Sequence, residues 1–176
     1  MNKIPVATVW LDGCSGCHMS LLDMDERIIE LAAKADFVHT PLVDLKEFPE
    51  GVDVAVVEGA VGNQADLEKI RKIRERSRIL VSLGDCAVTA NVPSMRNPLG
   101  PKAVLNRAYL ENVDLHPQVP EHAPPLLKRA RPIHEYVPVD IFVPGCPPSA
   151  DAIFYVLNEL VEGRMPDPSQ ITRFGS

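Results

Sequence analysis

Four cysteines are the residues of this chain best equipped for chemistry: a close pair in "GCSGC", Cys14 and Cys17, and two distant singles, Cys86 and Cys146. Thiolates bind soft metals, close disulfides or act as nucleophiles. A chain of 176 residues buries roughly 70% of its unfolded surface. Its core needs no disulfide or metal staple, so the cysteines are there for chemistry. Apolar residues are 45% and charged residues 24% of the chain, the balance of an ordinary globular domain. The opening "MNKIPVATVWLDG" is not expected to be a secretory signal, because its apolar run is short and Asp12 interrupts it. No segment approaches the ~20 apolar residues of a membrane span. The expected location is the cytoplasm, where spaced cysteines mean metal or redox chemistry more often than disulfides. The net charge of −6 argues against nucleic-acid binding, which calls for a basic face.

The elements that must position these thiols can be read from periodicity. "VATVWL" (6–11), "VDVAVVEGA" (52–60), "RILVSLGDC" (78–86) and "VDIFVPGC" (139–146) are apolar, β-branched runs that read as buried strands. "ADFVHTPLV" (35–43) reads as an edge strand, since Pro41 would break a central ladder. Helical spacing is present in 18–34, in 64–76 with acids early and bases late, and in 148–163 with Ser149 as N-cap and Gly163 as stop. Strands alternating with helices imply an α/β fold with a mostly parallel sheet and helices on both faces. The expectation is one domain over 1–176. Residues 91–138 depart from the pattern: they hold nine of the 17 prolines and little periodicity. They read as a long Pro-rich insertion, either a flexible loop or an arm that orders against another subunit.

Each cysteine falls at the carboxyl end of a predicted strand. In an open parallel sheet those ends share one edge, and ligands sit in the crevice there. Topology alone thus brings sequence-distant thiols together. Gly13, Gly16, Gly84 and Gly145 stand beside them, where backbone must approach closely. Helix starts after Cys17 and Cys146 would favour negative charge. Structural zinc also takes four cysteines, though its ribbons use two close pairs. A pair plus two singles on a sheet edge suits a [4Fe–4S] cube, and a single cube points to electron relay. A zinc-stabilised scaffold is the non-redox alternative.

At these residues the sequence resembles the small subunit of [NiFe]-hydrogenases, and more narrowly that of cytoplasmic NAD-reducing hydrogenases. The resemblance is carried by "WLDGCSGCHMSLLD" (10–23), "VVEGAV" (56–61), "LVSLGDCAVTANVPSMRN" (80–97) and "IFVPGCPPSADAI" (141–153). It implies a flavodoxin-like fold and one [4Fe–4S] cluster bound by Cys14, Cys17, Cys86 and Cys146. It also implies an obligate large catalytic subunit holding the nickel–iron centre, so that the chain belongs to a hydrogen:NAD+ oxidoreductase without carrying a complete active site. Periplasmic relatives add a C-terminal domain with further cluster ligands, whereas this chain stops at Ser176. Electrons are therefore expected to leave toward a diaphorase-type module carrying FMN and further iron–sulfur clusters. The related subunit of respiratory complex I has adjacent cysteines where this chain has Cys14-Ser15-Gly16-Cys17. Sulfhydrogenase and coenzyme-F420-reducing enzymes are further soluble relatives.

Other residues carry weaker signals. The resemblance associates Glu58, in its "EG" motif, with proton traffic, and the alternative is a capping or interface hydrogen bond. His18 could touch a cluster sulfur or simply begin a helix. Trp10 is expected in the core at a strand end. The basic run "KIRKIRERSR" (69–78) reads as a solvated helix face, and Asp12 and Asp85 as turn caps. The first βα loop is committed to cysteines and lacks a phosphate-binding signature, so FMN is not expected on this chain.

Overall fold

The computed structural model describes residues 3–41 and 45–172. In chain order the main elements are β1 (Ile4–Trp10), α1 (Gly16–Leu22), α2 (Arg27–Lys34), β2 (Ala35–His39), β3 (Val52–Glu58), β4 (Val61–Asn63), α3 (Gln64–Arg76), β5 (Ser77–Leu83), α4 (Gly84–Thr89), α5 (Pro101–Asn106), β6 (Leu126–Arg131), β7 (Ile141–Val143) and α6 (Ala150–Val161). Five strands form one sheet in the order β2-β1-β3-β5-β7, with every neighbouring pair parallel. β2 lies at an edge, as Pro41 implied. Positions 42 and 43 of that expected strand lie outside the described residues.

Alternation along the strands divides the apolar residues between two cores. Val6, Val54, Val56 and Val81 pack with Leu21 of α1, Leu31 of α2 and Ile153, Val156 and Leu160 of α6. Ala7, Val9, Ala55, Val57 and Leu80 pack with Ile70 and Ile73 of α3 on the other face. The α/β architecture with helices on both faces is therefore as expected. Among the described residues no helix is long and apolar enough to cross a membrane.

Several local expectations are corrected. The helix expected over 18–34 is two helices, α1 and α2. Asp25 adopts a left-handed conformation at φ +51, and the turn before it drives Met24 into the core, where it is 2% exposed. Apolar spacing continues across the break, which is why periodicity could not reveal it. β5 ends at Leu83, not at Cys86. Gly84, at φ +81, turns the chain into α4, so Cys86 sits in the first turn of a short helix. Trp10 is not in the core but 45% exposed.

The Pro-rich segment is not a structureless loop. It contains a 3₁₀ turn (Val92–Arg96), α5, a π turn (Arg107–Glu111), β6 and a second 3₁₀ turn (Ile133–Glu135). β6 pairs antiparallel with β4 in a separate ribbon. Arg96 donates to Gly62 O at 2.7 Å and Leu127 O at 3.1 Å, and Asn97 bonds both backbone groups of Ala130. Ile133 and Val137 complete the second core. These pieces are shorter than one amphipathic repeat, so no period announced them. Residues 112–125 carry no regular element and are mostly exposed.

Candidate metal centre

Three loops at the carboxyl edge carry the cysteines, and backbone and side-chain bonds tie those loops together. The first loop is joined to the turn after β3: Asp12 N donates to Ala60 O at 3.0 Å and Ala60 N to Asp12 O at 2.7 Å. The approach is close enough that a β-carbon on Gly59, itself at φ +86, would meet Leu11 and Asp12 backbone at 2.8–2.9 Å. Only glycine fits the "EG" turn for that reason. The second and third loops are clamped reciprocally. Asp85 N donates to Gly145 O at 2.9 Å, and Gly145 N donates to Asp85 Oδ1 at 2.7 Å. Asp85 is thus more than a turn cap: it spans the loops of Cys86 and Cys146. Ser20 of α1 closes the ring by donating to Pro148 O at 2.5 Å.

Within this frame the thiols lie near enough to influence one another electrostatically. Cys14 and Cys146 are exposed, Cys17 is half-buried and Cys86 is buried. Burial, then the neighbouring Glu58 carboxylate, pushes the Cys17 thiol far above its ordinary range, and Cys86 and Cys14 add to this. Burial pushes Cys86 up to about 11, with Cys14 and Cys146 adding to the rise and a Val92 N–H hydrogen bond opposing it. Each thiolate is disfavoured because it would sit in a partly dry space among other negative groups. A bound metal centre would supply the countercharge that such a donor set lacks. The backbone also leaves room: a β-carbon on Gly84 would lie 2.2 Å from Cys17 Sγ. Among the described residues no three His, Cys, Asp or Glu side chains are gathered tightly enough to enclose a single metal ion. The four cysteines nevertheless stand on loops of the same sheet edge, near enough for Cys86 to feel Cys14 and Cys146 and for Cys17 to feel Cys14 and Cys86, and thiols are the donors an iron–sulfur cluster takes.

Glu58 lies beside the thiols with 2% exposure. Its Oε2 accepts the His18 backbone N–H at 2.9 Å, and the carboxylate lies close enough to Cys17 to raise that thiol's pKa. Oε1 faces His18 Nδ1 at 3.2 Å, yet the angle is not that of a hydrogen bond and both atoms are buried without another partner. His18 Nε2 lies 3.1 Å from Thr8 Oγ1. His18 thus pairs with Glu58 and Thr8. Sequence reasoning missed Thr8, Ser20 and Asn91. A lone threonine in an apolar strand was a signal for the first; Ser20 and Asn91 had none.

The basic run on α3 is solvent-facing but pinned. Arg74 reaches Asp140 at 2.6 Å and the carbonyls of Ser77 and Arg78. Lys72 pairs with Glu47, and Arg78 with Asp53.

A parallel α/β sheet with cysteine loops on its carboxyl edge is the class this geometry defines. The family described as NADH ubiquinone oxidoreductase, 20 Kd subunit, matches residues 14–160, and the chain belongs to this family. Within it, the chain is similar to hydrogenase subunits. It is 42% identical to the delta subunit of the NAD-reducing hydrogenase HoxS of Cupriavidus necator, over 98% of this chain and 86% of that one. It is 38% identical to a subunit of the F420-non-reducing hydrogenase of Methanocaldococcus jannaschii, over 88% of this chain but only 56% of that one. A crystal structure of NAD+-reducing [NiFe]-hydrogenase in the H2-reduced state contains a chain that superposes with a TM-score of 0.92. The two are 40% identical, with 98% of this chain and 99% of that one covered. The resemblance to the small subunit of NAD-reducing [NiFe]-hydrogenases therefore extends over nearly the whole chain.

Proposed function

We propose that this chain is the electron-transfer subunit of a cytoplasmic NAD-reducing [NiFe]-hydrogenase, flavodoxin-like in topology, and that Cys14, Cys17, Cys86 and Cys146 hold one [4Fe–4S] cluster. The observation that carries the reading is the convergence of these four thiols on one clamped edge of a chain 42% identical to a hydrogenase subunit. A cluster bound there supplies one-electron transfer between a nickel–iron centre on a large catalytic subunit and a flavin and iron–sulfur diaphorase module.

The chain's own residues have distinct tasks. The Asp12–Ala60 bridge, the Asp85–Gly145 clamp and the Ser20–Pro148 bond hold the cysteine loops at fixed separation. The buried Glu58, linked to Cys17 and His18, is placed to pass protons along the same edge. Trp10 and Met19 beside the first loop, and Val92, Met95 and Leu99 after the second, are exposed apolar side chains. They form the surface on which the large subunit would dock, since obligate interfaces are extensive and apolar.

Anaerobic analysis of the purified complex tests the centre. In that complex, Cys86→Ser and Cys146→Ser are expected to lose or distort the cluster and to abolish hydrogen-dependent NAD reduction, while NADH oxidation by an artificial acceptor survives. Zinc in place of iron and sulfide on this chain, or full hydrogen-dependent turnover in both variants, overturns the assignment.

A further inference from the structure

We propose that the Asn91 side chain is a hydrogen-bond donor that sets the reduction potential of the cluster, an inference that rests on the cluster reading above. Asn91 Nδ2 donates to Cys146 Sγ at 3.4 Å, within the reach of a hydrogen bond to sulfur. A residue that follows the loop of Cys86 therefore directs an N–H dipole at the sulfur of Cys146 on another loop.

The position of this donor is built, not incidental. α4 ends at Thr89, and Ala90 adopts a left-handed conformation at φ +63, which reverses the chain so that Asn91 turns back toward Cys146. Ala90 N donates to Cys86 O at 3.0 Å, so the reversal is anchored on the ligand-bearing residue itself. Ser94 fixes the far side: its N–H donates to Ala90 O at 2.8 Å and its hydroxyl to Asn91 O at 2.8 Å. Behind it, Arg96 and Asn97 staple the 3₁₀ turn to the β4–β6 ribbon. This stapled part of the Pro-rich segment thus acts as a rigid backing for the Asn91 donor.

The chemistry gives the sign. Adding an electron makes the cluster and its thiolates more negative. An N–H dipole aimed at a sulfur stabilises that added charge, so it raises the potential, and hydrogen bonds to the sulfurs are among the determinants of iron–sulfur potentials. Asn91→Leu keeps similar bulk and removes the donor. Asn91→Asp also removes it and places a negative charge beside Cys146.

The experiment is a redox titration of the anaerobically purified complex, followed by electron paramagnetic resonance. The signal that Cys146→Ser removes or alters identifies this cluster. The expected result is unchanged iron and sulfide in both variants, a lower midpoint potential in Asn91→Leu, and a lower one still in Asn91→Asp. Unchanged midpoints at unchanged iron content overturn the tuning role while leaving the cluster assignment intact. A second measurement does not depend on the variants assembling. In wild-type complex labelled with ¹⁵N at asparagine side chains, pulsed resonance should detect a ¹⁵N coupling to the reduced cluster. Its absence also overturns the proposal. Wild-type complex without iron and sulfide on this chain would instead overturn the reading beneath it.

Discussion

Glu58 and its neighbours show how much depends on single side chains in a dry site. A carboxyl group with 2% exposure is held there by the His18 N–H, since a buried polar group calls for a hydrogen-bond partner. Glu58→Gln keeps the volume and the acceptor oxygen for His18 but removes the group that can take up a proton. In the complex it is expected to lower hydrogen-dependent NAD reduction by about 10²-fold or more, the usual scale for a lost acid–base group. Iron content and diaphorase activity should stay unchanged. Assays of the three quantities on one preparation check this, and full turnover would leave Glu58 with a purely structural bond.

At the level of elements, the loops matter through what joins them. The Asp85 carboxylate accepts the Gly145 N–H, which would otherwise be stranded where the third loop is buried. Asp85→Ala leaves that donor unpaired, at a cost of about 1–3 kcal/mol. The expected outcome is a complex that loses iron and sulfide faster under mild urea than wild type does, measured by the bleaching of the cluster absorbance. A second joint sits at the opposite edge of the sheet. Asp140 accepts Arg74 at 2.6 Å and Leu80 N–H at 2.7 Å. Burial alone would raise its pKa, but the Leu80 N–H and the Arg74 guanidinium outweigh that and hold it below the ordinary 3.8. A carboxylate depressed by folding contributes stability above its unfolded pKa, and that contribution disappears as pH falls through the lower folded value. Acid denaturation followed by circular dichroism should therefore show a steeper loss below pH 3.8 in wild type than in Asp140→Asn.

The whole molecule exposes apolar side chains beside its cysteine loops. Met19 is 60% exposed, Met95 74% and Leu99 68%, and they flank the cysteine loops on two sides. Exposed apolar surface of this kind marks an interaction site. Hydrogen exchange on the isolated chain and on the complex is expected to show added protection at 14–19, 91–99 and 144–149 when the large subunit is present. Unchanged protection there would refute this docking face. The turn around Glu58 is a poor reporter, although it belongs to the same edge. Glu58, Ala60 and Val61 are buried within the chain already, so a partner has little left to cover.

Residue types and their order were enough to read the alternation of strands and helices, the parallel sheet and the four thiols on its carboxyl edge. Each of those rests on local periodicity or on a topological rule that holds for any βα chain. α3 shows this well, because its capping box at Asn63 and its basic last turn both lie within the element. What the order of residues left open was decided by contacts between distant segments. Met24 splits a continuous helical pattern because the core has room for it. Gly84 ends a strand because Cys17 Sγ occupies the space where a side chain would stand. Asn91 reaches Cys146 across 55 positions because Ala90 reverses the chain over α4. Such choices depend on where other segments pack, and a one-dimensional pattern holds no record of that.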